Sequence, residues 1–162
     1  MNIFHKNIGF DWCLNKSYII DNIIKKHTKH QYNSYQHNFQ ITDGEMKTML
    51  IPLFNIFFSI AKEKFYLTQE EPNYKFFSYV SNKDRNVSVL HDHTRTALAN
   101  GIFYINVPKG DGGELLIRKS KYEDLIFPVL EGDLMIFHGN IKHRPLPVNT
   151  EDYRISINME AI

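Results

Sequence analysis

Cysteine is nearly absent. Cys13 is the only one in 162 residues, so neither a disulfide framework nor a thiolate-held metal cluster can form, and a reducing compartment is expected. An excess of one charge is absent too: 19 basic against 18 acidic side chains leave a formal net charge of +1, which argues against a broadly basic nucleic-acid binder. No stretch of the sequence reaches the roughly 18 apolar residues of a membrane span. Met1–Lys6 is not followed by the apolar core of a signal peptide. A cytoplasmic protein with neither nucleic acid nor membrane as partner is the expectation. What is present is the make-up of a folded chain, 43% hydrophobic and 23% charged, with length for one domain and not two. That domain is expected to span 1–162, with helical support over 1–70 and a β-rich core over 71–162.

The hydrophobic period changes near residue 70. Before it, Ile19, Ile20, Ile23 and Ile24 mark one face of a helix starting near Ser17, which ends in the basic run Lys25-Lys26-His27-Thr28-Lys29-His30. Cations suit that end of a helix dipole. Met46, Met49, Leu50, Leu53, Phe54, Phe57 and Ile60 predict a second helix over about 45–65, capped by Thr42 or Asp43. Pro52 should kink or break it. After residue 70, strands are expected over 75–80, 87–91, 98–107, 115–118, 134–137 and 153–159. Turn signals at Asn82-Lys83-Asp84, 108–113, Glu131-Gly132-Asp133 and 145–152 separate them. Strands without intervening helices indicate an antiparallel sandwich or barrel, and the class overall is α+β.

Four of the eight histidines, His91, His93, His138 and His143, fall in this β half. Residues i and i+2 of a strand share a face, so His91 and His93 can meet at one ion while Asp92 points away. A third imidazole from a distant strand would complete an open metal site. Arg154 and Ser156 share one face of the last strand. An inward guanidinium needs an anion, and a fork of two donors with a hydroxyl beside it suits a ligand carboxylate.

The order His91-x-His93, Gly101-Ile102-Phe103-Tyr104-Ile105-Asn106-Val107-Pro108, Gly112-Gly113-Glu114-Leu115, Gly132-Asp133-Leu134-Met135-Ile136-Phe137, His143 and Arg154-x-Ser156 resembles the 2-oxoglutarate/Fe(II)-dependent dioxygenases. It is most similar to prolyl 4-hydroxylases and their small bacterial and phage relatives, over about residues 74–160. The resemblance implies a distorted double-stranded β-helix (jelly roll) with two supporting N-terminal helices. It also implies Fe(II) and 2-oxoglutarate as cofactors, and hydroxylation of a C–H bond in a protein, peptide or small-molecule substrate. By position, His91 and His143 match metal ligands, Arg154 matches the residue that holds the distal carboxylate of 2-oxoglutarate, and Ser156 lies beside it. Tyr104 matches either a tyrosine that reaches the same carboxylate or a core aromatic.

The family's usual acid two residues after the first histidine is His93 here. Either His93 is the third ligand or a bulge brings Asp92 round. A three-histidine cupin-type oxygenase that does not use 2-oxoglutarate, or a non-catalytic jelly-roll binding module, are the alternative functions. His138 is expected at the pocket mouth, and Gly112 and Gly113 in a tight turn. Phe76, Phe77 and Tyr79 either wall a pocket or fill the sandwich. The sequence leaves the substrate and the oligomeric state open.

Overall fold

Short polar side chains start both helices. Asn15 Oδ1 accepts from Tyr18 N at 3.0 Å and opens α1 (Lys16–Lys29). Asp43 Oδ1 accepts from Met46 N at 2.8 Å and opens α2 (Gly44–Phe65), so Asp43 and not Thr42 is the cap. The computed structural model describes residues 1–33, 37–86, 88–110 and 112–162. Helix α2 runs through Pro52 without the expected break. Pro52 and Thr48, one turn earlier, are both exposed, so the carbonyl that Pro52 leaves without a donor is open to water, while the buried stripe opposite holds the helix together.

The strands are β1 (Ile3–Asn7), β2 (Phe39–Gln40), β3 (Phe76–Ser81), β4 (Ala99–Asn106), β5 (Leu115–Ser120), β6 (Glu123–Phe127), β7 (Asp133–His138), β8 (His143–Pro145) and β9 (Arg154–Ala161). They form a six-stranded sheet, β1-β7-β4-β9-β3-β2, and a three-stranded sheet, β6-β5-β8, paired antiparallel throughout. The architecture is α+β. The sequence pattern did not announce β1, β2, β6 or β8. Two of these lie within residues 1–70, so the helical support also lends strands to the large sheet. The expected strand over 87–91 is not one: Val87 lies outside the described residues, and the remainder keeps a single bridge between His91 and His143. Asp111, in the expected turn over 108–113, also lies outside them. Among the described residues no helix is long and apolar enough to cross a membrane.

Strand parity sorts the large sheet into two faces. Ala99, Phe103, Ile105, Leu134, Ile136, Ile155, Ile157 and Met159 pack with Leu50, Leu53, Phe54 and Phe57 of α2 in the main core. Ile102, Tyr104, Met135 and Phe137 face the small sheet and meet Leu115 and Ile117. Phe76 belongs to the first face, with its ring 5.5 Å from that of Phe54. Tyr79, on the second face, lines a cavity. The aromatics of this strand therefore do both jobs, by parity.

Gly101 sets the closeness of helix to sheet, since a Cβ there would lie 2.5 Å from Phe57 Cδ2. Phe57 is fully buried and cannot swing away. Gly101→Ala should cost about 1–3 kcal/mol through overpacking, read as a fall in Tm with little change in ligand binding, because the clash is on the far side of the sheet from the cavity. An unchanged Tm would show that α2 can shift.

Candidate metal centre and anion pocket

A cavity of about 510 Å³ opens between the sheets, and His91, His93, His143, Tyr79, Tyr104, Arg154, Ser156 and Asn158 all line it. His143 starts β8 and His91 bridges it, with His91 N to His143 O at 3.0 Å and His143 N to His91 O at 2.9 Å. His93 lies beyond regular strand. Its N–H donates to Gly139 O at 2.7 Å, and its carbonyl accepts from Thr96 N and Ala97 N in the following turn. A close turn, not strand periodicity alone, therefore brings the pair His91 and His93 together. One ligand atom from each of the three histidines lies within 4.8 Å of the others, an arrangement that could hold a metal ion.

The back of each imidazole is tied. His91 Nδ1 meets Val89 O at 2.8 Å, His143 Nδ1 meets Ile141 O at 3.0 Å, and His93 Nδ1 meets Glu160 Oε1 at 2.7 Å. Carbonyls and a carboxylate only accept, so all three Nδ1 atoms are donors and Nε2 is the atom each ring has left to offer an ion. His93 Nε2 is buried with no partner. Burial, then the neighbouring imidazoles, pushes the His143 pKa down to about 3. Burial lowers that of His91 as well. Both rings are thus neutral at physiological pH, the form a metal requires. Asp92 is exposed and turned away, its Oδ1 accepting from Thr94 N and Oγ1 at 3.2 and 2.8 Å.

Arg154 is 2% exposed. Its Nη1 donates to the Gly113 carbonyl, and its Nε is buried without a partner. No carboxylate among the described residues lies within ion-pair distance of it. Burial lowers its pKa, Tyr104, Tyr79 and, from beyond ion-pair distance, Glu114 oppose that shift, and the guanidinium stays charged. Such a group is costly unless an anion meets it. Burial holds the Tyr104 phenol up to about 12, so it stays protonated at the cavity wall. The Ser156 hydroxyl donates to Asn158 Oδ1 at 3.0 Å.

Gly113 does more than turn the chain. At φ +85°, a Cβ on it would sit 3.3 Å from Arg154 Cδ, so its bareness makes room for the arginine that its carbonyl holds. His138 is not at the mouth: it lines a separate surface groove with Asn140 and Lys142, because the β7 chain ends on that side. Asn33, His37, Asn38 and Val89 line the cavity without having been singled out from the sequence. Glu160 was missed too, although Arg154, Ser156, Asn158 and Glu160 alternate with Ile155, Ile157, Met159 and Ala161. That polar row with period two was there to be read.

No family model matches the sequence, and no curated protein matches it. Solved structures do match the fold. A prolyl-4-hydroxylase from Pseudomonas putida is similar at TM-score 0.70 and 13% identity, over 96% of this chain and 89% of that one. The viral collagen prolyl hydroxylase of Paramecium Bursaria Chlorella virus-1, in its 2OG complex, is similar at TM-score 0.67 and 14% identity, over 98% of this chain and 94% of that one. For a prolyl 4-hydroxylase from Phytophthora capsici the TM-score is 0.65 at 13% identity, and 98% of this chain spans 58% of that chain's length. The six-stranded sheet backed by helices and faced by a smaller sheet is thus the fold of the 2-oxoglutarate/Fe(II) oxygenases, in the form that the prolyl 4-hydroxylases share.

Proposed function

We propose that this chain is a 2-oxoglutarate- and Fe(II)-dependent dioxygenase that hydroxylates a C–H bond of a prolyl-type peptide or a small molecule. One observation carries the reading: a single cavity holds three converging imidazoles and a buried guanidinium that lacks a carboxylate. The strand order supports a distorted double-stranded β-helix, in which β3-β9-β4-β7 form the core of one wall and the bridge at His91 with β8-β5-β6 forms the other. In this reading His91, His93 and His143 hold the metal, and Asp92 does not. Arg154 takes the distal carboxylate of 2-oxoglutarate, Tyr104 donates its phenol to the same end, and Ser156 joins them by rotating its hydroxyl off Asn158. Fe(II) bound there would supply oxygen activation coupled to conversion of the keto acid to succinate and CO2. The chain's part is to orient these groups and keep water from the reacting centre. No side chain need act as acid or base.

Anaerobic protein loaded with Fe(II) should bind 2-oxoglutarate by calorimetry, and admitting air should yield succinate even without a prime substrate. The all-imidazole donor set favours a second reading, a cupin-type oxygenase, which would consume oxygen on a substrate without 2-oxoglutarate. Fe(II)-loaded protein that neither binds 2-oxoglutarate nor forms succinate overturns the dioxygenase reading. Binding without succinate identifies a binding module.

A further inference from the structure

Glu160 stands directly behind His93, and its place in the fold gives it a task. Its Oε1 accepts from His93 Nδ1 at 2.7 Å, and the two side chains are only 21% and 15% exposed. The other two histidines rest on neutral backbone carbonyls, so of the three only His93 is backed by an anion. His93 is also the position at which the sequence has an imidazole where the resembled pattern has a carboxylate. A negative charge absent from the ligand atoms therefore recurs one residue further out, along the imidazole that replaced it.

We propose that Glu160 is a positioning residue that supplies, through His93, the negative charge of the missing carboxylate ligand. This rests on the dioxygenase reading above. A carboxylate accepting from Nδ1–H fixes the tautomer, turns Nε2 toward the ion and makes that nitrogen a stronger donor. It also balances charge. With Fe(II), the Arg154 cation and a dianionic keto acid in place, three neutral imidazoles alone leave the cavity one charge positive, and Glu160 makes it neutral. Its strand delivers it there: Arg154, Ser156 and Glu160 share the inner face of β9, so one strand carries both the anion anchor and the counter-charge.

The test compares wild type with Glu160→Gln and Glu160→Asp in the full chain. Fe(II) affinity is measured anaerobically by chelator competition, and the midpoint potential of the bound iron by spectroelectrochemical titration. Glu160→Gln keeps an accepting oxygen and loses the charge. It should weaken Fe(II) binding by about 10–100-fold and raise the midpoint potential, since the oxidised ion loses more from a missing anion. Glu160→Asp should recover part of both. In a His93→Asp background, where a carboxylate is again a ligand, Glu160→Gln should cost little. Wild-type affinity and potential in Glu160→Gln overturn the proposal and leave the dioxygenase reading standing, as does equal loss in Gln and Asp variants with an unmoved potential. Wild-type protein that binds no Fe(II) overturns both together.

Discussion

Arg154→Met lowers the affinity for 2-oxoglutarate by about 100-fold or more, as expected when a buried anion loses charge-assisted hydrogen bonds of roughly 1.5–3 kcal/mol each. Fe(II) affinity falls far less than keto-acid affinity, because the guanidinium shares no hydrogen-bond partner with the imidazoles. Methionine is chosen because it keeps the apolar stem, so the cavity wall does not collapse. The same substitution removes an unpaired cation from a site that is 2% exposed. Replacing a buried ion pair by apolar groups of similar volume is often neutral or stabilising by about 1–4 kcal/mol, and a buried cation with no carboxylate in ion-pair reach has less attraction to lose. The free variant should therefore melt no lower than wild type, even with the bond to the Gly113 carbonyl lost. Calorimetry with 2-oxoglutarate, chelator competition for Fe(II) and a melting curve without ligands give the three readings. If metal and keto-acid affinities fall in step, Arg154 holds the fold together and is not an anchor.

The inward placement of Arg154 was largely visible in the sequence, and the reason is parity. In Arg154-Ile155-Ser156-Ile157 the apolar residues take one face and the polar ones the other, and a face that presents Arg inward needs an anion whatever the tertiary detail. The gathering of His91, His93 and His143 was legible for a weaker reason. The i, i+2 spacing suggested it, yet the structure achieves it with a single bridge to His143 and a turn pinned by Gly139. Short elements escaped notice. The three residues of β8 and the two of β2 are too few to show alternation, and β6 has the mixed polarity of a strand on the edge of the small sheet. His138 was misplaced because distance along the chain from His143 says nothing about which side of the strand end it leaves. Gly112-Gly113 signals only turn chemistry in the sequence. The second service of Gly113, room for the Arg154 side chain, depends on a partner 41 residues away, and no local pattern carries that.

His143→Ala abolishes the metal-dependent rise in Tm, and Asp92→Ala preserves it. An ion that binds only the folded state stabilises it by about 2.7 kcal/mol when free metal is 100 times Kd. In a domain of this size that is a rise of roughly 5–10 °C over the chelated protein. His143 is 2% exposed, its ring is fixed through Ile141 O, and its partner ring His91 lies 4.4 Å away between centroids. Among the described residues the ligand atoms that lie within 4.8 Å of one another are those of His91, His93 and His143; His37 lines the same cavity without joining that group, and Asp92 is bound to Thr94 outside it. Loss of a direct ligand should exceed the roughly 10–100-fold that an outer partner is worth, enough to remove the shift at any practical Fe(II) concentration. Truncating a buried imidazole also costs stability in its own right. The informative quantity is therefore the difference between loaded and chelated protein for each variant, in which the folding cost of the substitution cancels. His93→Ala belongs with His143→Ala if the three imidazoles form the site. A full metal-dependent shift in His93→Ala together with none in Asp92→Ala would put the aspartate in the coordination sphere, and the charge that Glu160 carries would then be redundant.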